Sequence, residues 1–421
     1  MFHQTSNAMK TLTYIFSAAA TIVVTVCLAG EPDSGVFNLT RGNSAYRTSF
    51  TMASHLVVIP VAINGSDSMN FILDSGVGST LITEVSSGGV VSLNDARKVL
   101  LTGLGNRESL EALASENNSL QVGRLIGHNQ QVIVLLNDVF NLSTRMGIPI
   151  NGLIGQSVFE QFVVEISYTN HSLAFYNPNR FRTRLRRNEE AIPIDIIEGK
   201  PYVDVVVTSG GVERKVKLLL DTGMSFALWL DPKSNNGIKP KENARADVLG
   251  QGLNGNVTGL ISRVDKVKIG TFELPNVITA FPDSSSIGEV SITQGRSGSI
   301  GADIFRRFNV IFDYPHNRLI LRKNGNFSEK FEYDMSGLEV GTVLVGLPAY
   351  QVLSVGHSTP AEEAGILPDD QIYSINGVQA NTLSLSEITE LFKSREGKSI
   401  TLAVYRNGVK MLFKFKLRRL V

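Results

Sequence analysis

The chain has 421 residues, 43% of them hydrophobic and 19% charged, with a net charge of +1. That length predicts two or three domains with sizeable cores, and the near-zero charge gives no electrostatic case for nucleic acid binding. A single cysteine, Cys27, excludes an intrachain disulfide and a cysteine-based zinc cluster; six histidines without ligand spacing argue against a metal site, and no cofactor is expected.

Residues 1–30 read as an export signal or anchor. Lys10 is the only early charge, and Leu12 to Ala29 carries none. Cleavage after Ala29, retention as an N-terminal membrane anchor and lipidation at Cys27 all stay open. The residue before Cys27 is Val26, a poor match to a lipobox, and the apolar run is marginal for a span, which needs roughly 20 residues. The expected location is therefore exported: periplasmic, secreted or membrane-anchored.

A strand is predicted at Leu56-Val57-Val58-Ile59, followed by a turn at Asn64-Gly65. The next apolar run ends in an acidic triplet, Phe71-Ile72-Leu73-Asp74-Ser75-Gly76. The same arrangement returns 147 residues later as Leu218-Leu219-Leu220-Asp221-Thr222-Gly223, after a β-branched run Tyr202 to Thr208 and a turn at Ser209-Gly210-Gly211. The match extends downstream. Gly103 and Gly105 lie 29 and 31 residues after Asp74, and Gly250 and Gly252 lie 29 and 31 after Asp221. Gly123 and Gly270 are each 49 residues past the aspartate. Gly152-Leu153-Ile154-Gly155 and Gly298-Ser299-Ile300-Gly301 follow at about 80 residues, with a single residue of slippage. Hairpins are expected around 169–172 and 315–317, and a helical turn at 156–161 and at 302–307. Such spacing marks an internal duplication. A third triplet, Asp33-Ser34-Gly35, follows Glu31-Pro32 rather than an apolar strand and has no downstream partner, so it is set aside. The arginines at 180, 182, 184, 186 and 187 read as a solvated connector.

The triplets suit one chemistry. A buried carboxylate at a strand end is costly unless it is neutralised, paired or functional. Two close carboxylates cannot both ionise; they share one proton and can serve as acid and base together. Gly76 and Gly223 let each turn close tightly, and Ser75 and Thr222 supply hydroxyls able to bond across to the partner loop. On these residues the region from about 50 to 325 resembles the aspartic peptidases of the retropepsin and pepsin kind. The resemblance implies a two-lobed β fold with Asp74 and Asp221 as the catalytic pair, one per lobe, and endopeptidase activity on an extended peptide. By position, Gly103, Gly105, Gly250 and Gly252 are either flap residues over the cleft or ordinary hairpin glycines. Two departures stand out: Ser75 where threonine is commoner, and Ser299 where an apolar residue is expected.

After a polar stretch, Lys323 to Lys330, which reads as a linker, a new pattern begins. A strand Gln351 to Val355 precedes Pro360-Ala361-Glu362-Glu363-Ala364-Gly365-Ile366 and Asp370-Gln371-Ile372-Tyr373-Ser374-Ile375-Asn376-Gly377. Helical spacing over 385–394 and an Asn407-Gly408 hairpin complete it. This stretch resembles a PDZ domain of the bacterial, permuted type. The resemblance implies binding of a peptide or C-terminus by β-augmentation, with Ser336, Gly337 and Leu338 in the carboxylate-binding loop. Asp369 departs from it, standing where glycine usually precedes the aspartate.

The expected architecture is mostly β: two acid-protease-type barrel lobes at 45–180 and 190–323 and a small α/β PDZ domain at 333–421. The expected partner is a peptide or protein substrate, and with both aspartates in one chain dimerisation is not required. A catalytically silent scaffold that binds peptides through its cleft and PDZ domain is the competing reading. Gly42-Asn43-Ser44 resembles a serine-protease nucleophile loop, but it continues Ala45-Tyr46 and precedes both repeats, so that reading is dropped.

Overall fold

The computed structural model describes residues 35–39, 44–84, 91–101, 110–231, 234, 237–253, 255–287 and 295–421. The expected export segment, the Asp33 triplet and the glycines Gly103 and Gly105 lie outside the described residues. Among those described, no helix is long and apolar enough to cross a membrane.

The fold is mostly β. Each repeat forms a large sheet around its acidic triplet. In the first repeat, neighbouring strands run Leu125–Leu135, Thr80–Ile82, Gly152–Ile154, Met69–Leu73, Leu56–Ile63 and Leu110–Val122. In the second, Lys200–Ser209, Val212–Leu220, Gly298–Ile300, Leu228–Leu230, Phe272–Pro282, Gly255–Ile269 and Arg245–Gly252 lie side by side. The strands form where β-branched and leucine runs allow burial on the pleated surface. The second hairpin closes on Gly210 and Gly211, whose φ angles of +58° and +75° suit a tight two-residue turn.

A third sheet joins the repeats. Its order is Glu189–Pro193, Arg318–Lys323, Phe308–Asp313, Val163–Ser167, Ser172–Tyr176 and Ala45–Ser49. The two central strands come from different repeats and pair antiparallel, with Val164 opposite Phe312 and Ile166 opposite Val310. The expected hairpins around 169–172 and 315–317 are the flanks of this sheet. Its side chains, among them Phe175, Phe308 and Phe312, belong to one core cluster shared by both repeats, which Phe159 of the helix Gln156–Phe159 also joins. Burial of this kind contributes roughly 25 cal/mol per Å² of apolar surface, so the lobes are fused rather than tethered.

The C-terminal module has its own core and a sheet ordered Leu338–Thr342, Tyr350–Val355, Gln371–Ile375, Ser399–Arg406 and Val409–Lys416. Its helix Leu385–Phe392 starts at a capping box, with the Ser384 hydroxyl bound to the Glu387 N–H and the Glu387 carboxylate to the Ser384 N–H. The polar stretch read as a linker is packed against the second repeat. Arg307 is fully buried, donates to the carbonyls of Asn326 and Lys330 at 3.3 Å and lies 3.6 Å over the Phe331 ring. Backbone carbonyls and an aromatic face satisfy that guanidinium, which is why a polar segment can pack there.

Candidate active site

Asp74 and Asp221 each follow the buried last three residues of a strand, Met69–Leu73 and Val212–Leu220. A short strand runs parallel beside each in the same register: Leu153 faces Ile72, and Ser299 faces Leu219. The Ile154 and Ile300 carbonyls then accept the Asp74 and Asp221 N–H groups at 2.8 and 2.9 Å. The apolar-apolar-glycine segments about 80 residues downstream are thus the strands that hold the acidic turns. Gly155 is there for contact: a Cβ on it would lie 1.6 Å from the Asp74 carbonyl oxygen.

The turns interlock across the lobes. Ser75 Oγ donates to the Leu220 carbonyl at 2.6 Å and accepts the Thr222 N–H at 3.0 Å. Thr222 Oγ1 donates to the Leu73 carbonyl at 2.8 Å and accepts the Ser75 N–H at 2.9 Å. Each hydroxyl is both donor and acceptor, so four buried backbone groups are satisfied by two side chains. Ser75 fills this role as threonine would, because only the hydroxyl is used.

The interlock brings the carboxyl groups together. Gly76 N–H donates to Asp74 Oδ1 at 2.7 Å, and Gly223 N–H to Asp221 Oδ1 at 3.1 Å. A Cβ on Gly223 would lie 2.2 Å from Asp74 Cγ, so only glycine lets the second turn approach the first carboxyl. Asp74 and Asp221 are 0% and 1% exposed, and neither Oδ2 has a hydrogen-bond partner among the described residues. Two buried polar oxygens left free in one place need a reason.

Burial dominates the electrostatics. It drives the Asp74 carboxyl well above the usual carboxylate range, and neighbouring Asp221 pushes the same way. Burial also raises Asp221, but Arg296, the Gly223 N–H, a hydrogen bond with the Asp74 carboxyl and, least, Lys200 oppose it and leave it at about 6. The pair therefore holds one proton over a wide pH range, with the proton favoured on Asp74. Lys200, Arg296 and the buried Tyr314, which lies in the field of Asp74, were not marked as site residues by the sequence reading. For Lys200 a signal existed: the tight Gly210-Gly211 turn fixes the strand register and so what stands opposite Asp221.

Gly250 and Gly252 lie at the end of strand Arg245–Gly252, which pairs with Gly255–Ile269 in a long hairpin, Gly252 opposite Gly255. Leu253 at its tip is buried in a cluster with first-repeat residues including Val77, Leu81 and Leu101. The hairpin therefore reaches from the second lobe to the wall beside the first acidic turn.

The PDZ loop residues Ser336, Gly337 and Leu338 sit where edge strand Leu338–Thr342 begins, and their polar groups are engaged. The Ser336 hydroxyl and the Gly337 N–H donate to the Asp334 carboxylate, and the Leu338 N–H donates to Ser336 Oγ at 3.0 Å. The edge strand is buried along its whole length. The first-lobe helix Leu142–Met146 packs over it, with Arg145 Nη1 2.6 Å from Glu339 Oε1. A cavity of about 390 Å³ lies at this junction, bordered by Leu338 and Lys393 of the module, Arg145 of the first lobe and Phe226 of the second.

Residues 204–304 match the aspartyl protease family, and residues 351–406 match the PDZ domain family. The first match lies within the second repeat; the first repeat shares its register and is interlocked with it, as described above. The chain is also similar to the carboxy-terminal processing protease CtpB of Bacillus subtilis, 29% identical over 83 residues, which is 20% of this chain and 16% of that protein. It is 38% identical over 111 residues to a carboxyl-terminal-processing protease of Synechocystis sp., covering 25% of this chain and 26% of that one. The matched stretches thus span about a quarter or less of these relatives' length.

Proposed function

The chain carries an aspartyl protease domain and a C-terminal PDZ domain, and we propose that it is an exported aspartic endopeptidase in which Asp74 and Asp221 act as one dyad. The observation that carries this reading is the reciprocal seating of the two carboxyls, each with one oxygen held by a glycine N–H and the other unpartnered. That arrangement is suited to acid–base work on a water molecule between the free oxygens.

The steps follow from the charge distribution. Asp221, the more readily ionised member, takes a proton from water as its oxygen attacks the peptide carbonyl carbon. Asp74 gives its proton to the carbonyl oxygen, and a tetrahedral diol forms. Asp221 then passes its proton to the leaving nitrogen as the C–N bond breaks, and Asp74 recovers a proton from a diol hydroxyl. Water is consumed, no covalent enzyme intermediate forms, and the dyad returns to one proton. The hairpin tipped by Leu253 must lift for a peptide to reach the buried pair, which suits a flap role for Gly250 and Gly252. The uncharged stretch Leu12 to Ala29 supports export, and the PDZ module is assigned to peptide recognition.

The purified full chain should cleave unfolded protein or peptide substrates, and a statine-type peptide, which mimics the diol, should inhibit it competitively with substrate. Binding of the statine peptide without any cleavage at any pH would favour the silent-scaffold reading instead.

A further inference from the structure

The two lobes are alike in backbone but not in charge. In the second lobe Tyr202 pairs with Leu219 and Val203 with Leu218. Two residues further along that register, Lys200 comes opposite Asp221. In the first lobe Val58 pairs with Ile72 and Ile59 with Phe71, so the same step brings Leu56 opposite Asp74. The preceding strands agree, with Ile197 opposite Lys200 and Ala53 opposite Leu56. In an antiparallel ladder, opposed residues share a face of the sheet. One acidic turn thus has an ammonium across from it and the other a buried leucine.

A second asymmetry reinforces the first. Arg296 precedes the strand Gly298–Ile300, donating to the Gly298 carbonyl at 3.1 Å and to Ser299 Oγ at 2.6 Å. The register of the supporting strands makes Ile150 its first-lobe counterpart. Ser299, an unexpected polar residue in a buried strand, is the anchor for that guanidinium.

We infer that Lys200, with Arg296 nearby, is a positioning residue that holds a negative charge on the Asp74–Asp221 pair. This rests on the peptidase reading for its catalytic meaning, though not for its electrostatics. Among the described residues Lys200 makes no hydrogen bond or ion pair, so its charge is not spent on another partner. The other charged or titratable groups around it are Arg296, Glu198 in its own turn, Asp74 and Asp221. Tyr314, in the turn after Phe308–Asp313, lies in the field of the same two aspartates and of Glu160. Burial and then the neighbouring Arg296 guanidinium lower the Lys200 ammonium, while Asp74 and Asp221 oppose them, the pattern expected of a cation held in the field of the pair.

The test is the pH dependence of kcat/KM for the full chain carrying Lys200→Leu, Lys200→Arg or Leu56→Lys. A cation close to the pair lowers both of its apparent pKa values, so Lys200→Leu should move both limbs of the profile to higher pH by about one unit. Lys200→Arg should leave the limbs in place, and Leu56→Lys should move both lower. A Lys200→Leu profile reduced at every pH with its limbs unmoved would overturn the role and leave Lys200 merely structural. A second readout needs no turnover: the carboxyl ¹³C titration of Asp221, assigned with Asp221→Asn. An upward shift in Lys200→Leu supports the inference even if the chain cleaves nothing, which would contradict the peptidase reading alone. An unmoved titration overturns the inference whatever the activity.

Discussion

A carboxyl group buried beside another keeps its proton at pH values where the unfolded chain has released it. For Asp221 that window runs from about 4, the unfolded value, to about 6; for Asp74 it extends higher. Within it the folded state binds more protons than the unfolded one, so stability falls as pH rises. Asp74→Asn removes one such group. Its melting temperature is predicted to vary less with pH between about 4 and 7 than that of the parent, and to be no lower at neutral pH. Melts across that range check this; a variant that loses stability with pH as steeply as the parent would contradict it. Gly223→Ala is the opposite case. The added methyl collides with Asp74 Cγ, and a backbone shift there should destroy cleavage while leaving the C-terminal module folded.

The turns and their supporting strands were legible in the sequence because matched spacing exposes equivalent positions without any knowledge of contacts. Asp74, Asp221 and the segments ending at Gly155 and Gly301 were all found this way, and the stray Asp33 triplet was rejected by the same test. The interlock was visible only as two hydroxyls with the right chemistry; which carbonyl each one meets depends on how the lobes dock. Removing either hydroxyl strands two buried backbone groups of the opposite lobe, at a cost of about 1–3 kcal/mol. Ser75→Ala and Thr222→Ala should therefore each lower the denaturation midpoint, while Thr222→Ser, which keeps donor and acceptor, should stay near the parent. Equal losses for Thr222→Ser and Thr222→Ala would show that the methyl group, not the hydroxyl, matters. Lys200 was legible in principle from the tight turn at Gly210-Gly211, but only if the register was followed to the strand end.

At the scale of the whole molecule, the module that follows the lobes is docked rather than hung from a linker. Arg145 of the first lobe meets Glu339 of the PDZ edge strand, whose side chain is 1% exposed. Tyr333 donates to Asp247 of the second lobe at 2.8 Å, and Arg245 donates to the His357 carbonyl at 3.1 Å. None of these pairings has a local signature, since each joins residues far apart in the chain, and the polar composition of 323–330 pointed to a loose linker instead. Arg145→Ala leaves the buried Glu339 carboxylate without its charged partner, though still bonded to the Ser354 hydroxyl at 2.8 Å; breaking a buried pair costs about 3–5 kcal/mol. That variant should show the C-terminal module melting separately or being released faster by limited proteolysis, whereas Glu339→Gln should be milder. The edge strand Leu338–Thr342 lies under the first-lobe helix, so a peptide adding to that edge must displace the helix. Peptide affinity of the PDZ module should rise in Arg145→Ala.

The central claim is that Asp74 and Asp221 together cut peptide bonds. It is tested most directly by measuring the cleavage rate of one peptide by the full chain, by Asp74→Asn and by Asp221→Asn, each shown by circular dichroism to be folded. Loss of one acid–base partner predicts a fall of at least about 10²- to 10⁴-fold in both variants. Cleavage at the parental rate by either folded variant would contradict the dyad.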